Sequence, residues 1–228
     1  VRPGFAPDCT VKTRLTHCGT AAPHVSRDRL PMTSNMIRPL RLVAVSGGLS
    51  APSKSAALAR HLLDLVAADT PARGNLIELG KLAPYLAGSA WRAQLPETVE
   101  HALQAVEQAD ALVVVTPVFR GAYTGLFKHF FDFVEQDALI DTPVLLAATG
   151  GSPRHSLMID HQLRPLFSFF QARTCPLGVY ATDQDFSGLQ LHDEALLQRA
   201  HQAVQKALPL IALGRSRTLP DTRDGVAA

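Results

Sequence analysis

The chain has 228 residues, 46% apolar and 18% charged, which is enough to build a full core without staples. Its formal charge is +2, but residues 1–40 hold six of the 22 Lys/Arg and two of the 20 Asp/Glu, a local +4 that leaves the remainder at −2. A near-neutral body argues against a nucleic-acid surface, which needs clustered cations on the fold, and no apolar run approaches the roughly 18 residues of a membrane span.

Residues 1–40 show no sustained period, several prolines and no apolar segment like that of a secretory signal. They are Arg-rich and acid-poor, as transit peptides are, but the prolines oppose the amphipathic helix such a peptide needs. A disordered leader is expected there, with Met32 or Met36 as the natural start. Cys9, Cys18 and Cys175 are odd in number and lack metal-type spacing, so a reducing, cytoplasmic setting without disulfides or metal is expected.

From residue 41 strand and helix signals alternate. Strand-length apolar runs fall at Leu42–Val45, Leu76–Leu79, Ala111–Val115, Val144–Ala148 and Gly178–Ala181. They are rich in Val and Leu and do not alternate, which is how strands read when both faces are covered. Between them Leu58, Leu62, Leu65 and Val66 keep helical spacing, as do Val99, Leu103 and Val106 behind Pro96. Residues 124–135, 156–172 and 193–212 read as further helices. This pattern predicts one α/β domain over 41–212, a doubly wound five-stranded parallel sheet, with 213–228 as a flexible tail.

In such a sheet ligands sit beyond the carboxyl ends of the strands, where strand order reverses. Three unusual sequences follow strands one, three and four: "SGGLSAPSKS" (46–55), "TPVFRGAYTG" (116–125) and "ATGGSPRH" (148–155). The first is no Walker A loop, because Ser53 stands where the second glycine is needed and the third strand ends in Thr-Pro rather than an acid. It is no dinucleotide fingerprint either, having only Gly47 and Gly48. Ser46, Ser53, Ser55 and Lys54, at a helix N-terminus, suit one terminal phosphate such as that of flavin mononucleotide (FMN); Ser53 alone reads equally as a helix cap.

In the second loop Pro117 fixes a turn, and Val118, Phe119, Arg120 and Gly121 lie where a flat ring system would. Arg120 faces either the ring's polar edge or a nicotinamide phosphate, or is a solvated surface residue. In the third loop Thr149, Gly150, Gly151 and Ser152 allow close backbone approach to a ligand. The helix after the second loop carries Phe127, Phe130, Phe131 and Phe133 on more than one face, which predicts a subunit interface over 124–135.

On "SGGLSAPSKS", "TPVFRGAYTGLFK" and "LLAATGGSPRHSLMIDHQLRPLF" the chain resembles the NAD(P)H-dependent FMN reductases, most closely those serving alkanesulfonate and methanesulfonate monooxygenases. The resemblance spans residues 41–210. It implies a flavodoxin-like fold with strand order 2-1-3-4-5 and FMN and NADH or NADPH as the nucleotides. The first loop would hold the phosphate, and the other two would border the isoalloxazine. It further implies hydride transfer carried by the flavin rather than by a catalytic side chain, delivery of reduced flavin to a partner monooxygenase, and a homodimer or homotetramer. It places a π-type insertion in the helix after the second loop, with Tyr123 and His129 as candidates. The alternatives are a quinone, azo-dye or chromate reductase that keeps its FMN, and a flavodoxin-type electron carrier.

Overall fold

A computed structural model describes residues 38–214. The expected leader, apart from its last residues, and the tail beyond Gly214 lie outside the described residues.

The first strand, β1 (Leu40–Ser46), is followed by α1 (Lys54–Asp69), β2 (Ala72–Glu78), α2 (Leu79–Leu86), α3 (Glu97–Glu107) and β3 (Ala111–Pro117). Then come α4 (Gly125–Phe131), β4 (Pro143–Gly150), a π-helical turn at Ile159–Leu163 that runs into α5 (Arg164–Phe169), β5 (Arg173–Thr174) and β6 (Val179–Thr182). A small hairpin, β7 (Phe186–Ser187) and β8 (Gln190–Leu191), precedes α6 (Glu194–Gly214).

All pairings in the main sheet are parallel, in the order β2-β1-β3-β4-β5, with β6 also on β4. The fifth strand predicted at Gly178–Ala181 is β6, and β5 is a further short piece on β4 that the sequence does not announce. Pro176 and Gly178 lie between them, and neither suits a continuous ladder.

The strands lack alternation because successive side chains enter two different cores. Val43, Val45, Leu112, Val114, Val144 and Leu146 pack against Leu79, Leu86, Val99, Leu103, Phe127, Phe131 and Phe167 on one face. Leu42, Ala44, Val113, Leu145 and Ala147 meet Leu58, Leu62, Val66, Ala203 and Val204 of α1 and α6 on the other. Cys175 is a free thiol in this second core, and burial pushes its pKa up to about 12 despite the nearby Arg164 charge.

Two expectations need correction. Strand two stops at Glu78, and Leu79 opens α2, a helix that periodicity does not reveal. The helix after the second loop is α-helical over Gly125–Phe131, and the π turn lies one helix later at Ile159–Leu163, so neither Tyr123 nor His129 is an inserted residue of a π bulge. Phe127, Phe130, Phe131 and Phe133 are buried inside this chain, with Phe131 stacked edge-on against Phe130 and Phe167, so the helix's own core accounts for its aromatic richness.

Candidate functional site

The carboxyl ends of the central strands finish within three residues of one another. Ser46 pairs with Glu78 and with Val115, Pro117 with Thr149, and Gly150 with Thr182. The loops leaving these ends therefore start side by side, and direct bonds fasten them together. Gly47 donates to Val115 and its carbonyl accepts from the Thr124 hydroxyl at 3.1 Å, tying the first loop to the second. The Val118 amide donates to the Thr149 carbonyl at 2.7 Å, tying the second to the third. The buried hydroxyls of Ser55 and Thr149 lie 2.6 Å apart, closing the circuit between third and first.

The three loops surround a cleft of about 600 Å³, within the usual range for nucleotide-sized ligands. Of the predicted residues, Ser53, Lys54, Ser55, Pro117, Val118, Phe119, Thr149, Gly150 and Gly151 line it. The other four stand behind or beside it. Ser46 is buried, with its hydroxyl 3.5 Å from the Gly48 amide. Ser152 caps the turn at Arg154, and its carbonyl accepts from the Tyr180 hydroxyl. Arg120 and Gly121 form the exposed tip of a two-residue hairpin turn. Both have positive φ, 52° and 82°, and Phe119 and Ala122 exchange backbone hydrogen bonds across it.

The first loop gathers hydroxyls, an ammonium and backbone amides at the start of α1. Ser53 is the cap of α1: its side chain accepts from the Ala56 amide at 3.3 Å. The amides of Lys54 and Ser55 remain at the open, positive end of a 16-residue helix. The capping hydroxyl keeps its own proton for a ligand, so capping and phosphate binding are compatible in Ser53. Gly48 faces this end directly, since a Cβ there would lie 2.1 Å from the Ser53 hydroxyl oxygen. On the opposite wall a Cβ at Gly150 would meet the Tyr180 hydroxyl at 2.2 Å. Burial, with the Asp183 charge added, holds that phenol above its ordinary pKa, so it stays a neutral donor to Ser152.

Sequence reasoning does not single out Gly48, Leu49, Ser50, Pro52, Thr182, Asp183, Phe186 and Leu189, which also line the cleft. The first four lie inside the quoted first loop; the rest follow β6 or end it, in a segment with no motif to mark it. Asp183 makes an ion pair with Lys54 at 2.7 Å. Among the described residues no group of His, Cys, Asp or Glu is arranged to hold a metal, and no helix is long and apolar enough to cross a membrane.

Residues 40–187 match the family described as NADPH-dependent FMN reductase. The chain belongs to this family. The matched stretch contains every residue lining the cleft except Leu189. Among relatives, the NADH-dependent FMN reductase SfnF of Pseudomonas fluorescens is 54% identical over 77% of this chain and 94% of its own length. An FMN reductase (NADPH) of Pseudomonas aeruginosa is 47% identical over 81% and 98%. An oxidoreductase from Corynebacterium diphtheriae, solved by X-ray crystallography, superposes with a TM-score of 0.67 at 36% identity, covering 77% of this chain and 99% of that one. A WrbA-like flavodoxin of Agrobacterium tumefaciens, at 14% identity and a TM-score of 0.52, shares the fold, which is flavodoxin-like. The FMN reductase family membership and the cleft thus point to the same stretch of chain.

Proposed function

We propose that the protein is an NAD(P)H-dependent FMN reductase whose site is the cleft between the three loops. The observation that carries this is the convergence of the N-terminus of α1, a Pro-Val-Phe wall and a twin-glycine wall on one rim, within the region that matches the family. The residues fit FMN on their own chemistry. One end of the cleft offers Ser50, Ser53, the Lys54 ammonium and two helix amides, as a phosphomonoester requires. The middle is lined partly by Gly150 and Gly151, which let a flat ring approach the backbone closely.

Lys54 and the α1 amides would hold the phosphate. Pro117, Val118 and Phe119 would bound one side of the ring and Gly150 and Gly151 the other. Bound FMN supplies the hydride acceptor. The protein's part is orientation: fastened loops hold two rings in contact and keep water from between them. Phe119, 51% exposed at the mouth, offers an aromatic surface for the second nucleotide. Arg120, Gly121, Ser46 and Ser152 act in this reading as the turn, floor and cap that shape the walls. The domain proposed over 41–212 carries the whole site.

The similarity to SfnF extends the reading to the partner: reduced flavin leaves for a sulfonate-type monooxygenase. The names of the relatives divide between NADH and NADPH. Self-association is part of the proposal, but it would use exposed apolar residues such as Leu157 and Phe169 rather than the phenylalanines of α4. Anaerobic oxidation of NADH or NADPH, followed at 340 nm with and without FMN, tests the function. FMN-dependent oxidation is expected, and no dependence on added or bound FMN rejects it.

A further inference from the structure

Lys54 is not waiting alone at the phosphate end of the cleft. Its ammonium is 2.7 Å from the Asp183 carboxylate and 5.6 Å from the centroid of the Phe186 ring. Asp183 lies in the turn after β6 and Phe186 opens β7, and both line the cleft. That turn is pinned by the neighbouring acid: Asp185 accepts from the Thr182 amide at 2.6 Å and the Thr182 hydroxyl at 2.9 Å. The Asp183 carboxylate is instead presented across to α1. Its second oxygen lies 3.6 Å from where a Cβ on Gly151 would be, so the carboxylate reaches between the first and third loops.

Resting on the reading of the first loop as a phosphate site, we propose that Asp183 is an internal competitor for the flavin phosphate at Lys54 and makes FMN an exchangeable substrate rather than a fixture. A phosphate arriving at Lys54 must either displace the carboxylate or share one ammonium with it. Both weaken binding of the phosphorylated flavin specifically. On departure the ion pair re-forms, which favours release of FMN in either redox state because the phosphate is the same in both. The pair is partly solvated, with Lys54 and Asp183 side chains 35% and 65% exposed, so the effect is moderate. Asp183 is a specificity-determining residue here and takes no part in hydride transfer.

The test compares FMN with riboflavin, which lacks the phosphate, by flavin-fluorescence titration of the wild type, Asp183→Asn and Asp183→Ala. Both variants are expected to bind FMN about fivefold more tightly and release it correspondingly more slowly, while riboflavin affinity stays unchanged. A change shared by FMN and riboflavin marks an effect on cleft shape and overturns the proposal, as does unchanged or weaker FMN binding. A wild type that oxidises NAD(P)H with FMN, beside variants that bind no tighter, removes this inference alone. A wild type that binds no FMN removes the reading beneath it as well.

Discussion

At Gly48 the first loop has no room for a side chain. An added methyl would sit 2.1 Å from the Ser53 hydroxyl oxygen and 3.0 Å from its Cβ. Ser53 would have to turn away, giving up its bond to the Ala56 amide and filling the space proposed for the phosphate. Gly48→Ala is expected to lower FMN affinity at least about tenfold, and to cost about 1 kcal/mol through the lost cap. Fluorescence titration and a melting curve measure the two; full affinity in the folded variant would remove the first loop from the site. The residue type is visible in the sequence, but its role is not. Gly48 completes no phosphate-binding glycine motif; its use is steric and depends on where Ser53 turns back. Ser53, Lys54 and Ser55 are legible because hydroxyls and a cation gathered at a helix start suit an anion. Asp183 is not: a lone acid after a strand is ordinary until the fold sets it on Lys54.

Element by element, the buried strands and the long helices α1, α3 and α6 are readable from apolar spacing. Helix α2 is not, because it begins directly at the end of β2, spans only eight residues and contains Pro84. Its second residue, Gly80, lets it lie against the first loop, where a Cβ would come within 2.7 Å of the Gly48 carbonyl oxygen. The place of the second loop beside the cleft follows from strand order, but its hairpin form is hidden: "RG" is a less familiar pair for a turn that needs two positive φ values than "NG". Arg120 at φ 52° sits in a region that Asn tolerates better. Arg120→Asn is therefore expected to raise Tm by about 1–2 °C, as roughly 0.5 kcal/mol of turn strain is relieved. A fall in Tm would show that the arginine side chain makes a contact worth more than that strain. The π turn at Ile159–Leu163 is not legible from residue type, since a π turn differs from an α turn only in its hydrogen-bond register.

For the molecule as a whole, the doubly wound architecture follows from βα alternation and right-handed crossovers, and the convergence of loops one, three and four follows from the architecture. What fixes the amino end of the sheet is visible only in the structure. Asp110, buried just before β3, accepts from the two terminal guanidinium nitrogens of Arg38 at 2.7 Å each and from the Arg41 amide at 2.7 Å. Burial pushes its pKa up, but the Arg38 hydrogen bonds, the Arg41 amide and the two positive charges outweigh burial and hold the carboxyl below its usual value. A depressed folded-state pKa stabilises fully above the unfolded value of about 4 and is lost as pH falls through the lower folded value. Asp110→Asn is expected to cost about 2 kcal/mol at pH 7, with the gap from wild type shrinking as melting is repeated from about pH 5 down toward about pH 2. A gap that stays constant over this range would mean that the arginines do not stabilise the ionised form.

A crystal structure of the protein with FMN bears most directly on whether the three loops form one flavin site. The phosphate is expected against Ser53, Lys54 and the first amides of α1, with the ring between Pro117–Phe119 and Gly150–Gly151. FMN seated elsewhere, for instance in the 460 Å³ hollow beside Tyr180 and Arg199, would contradict it.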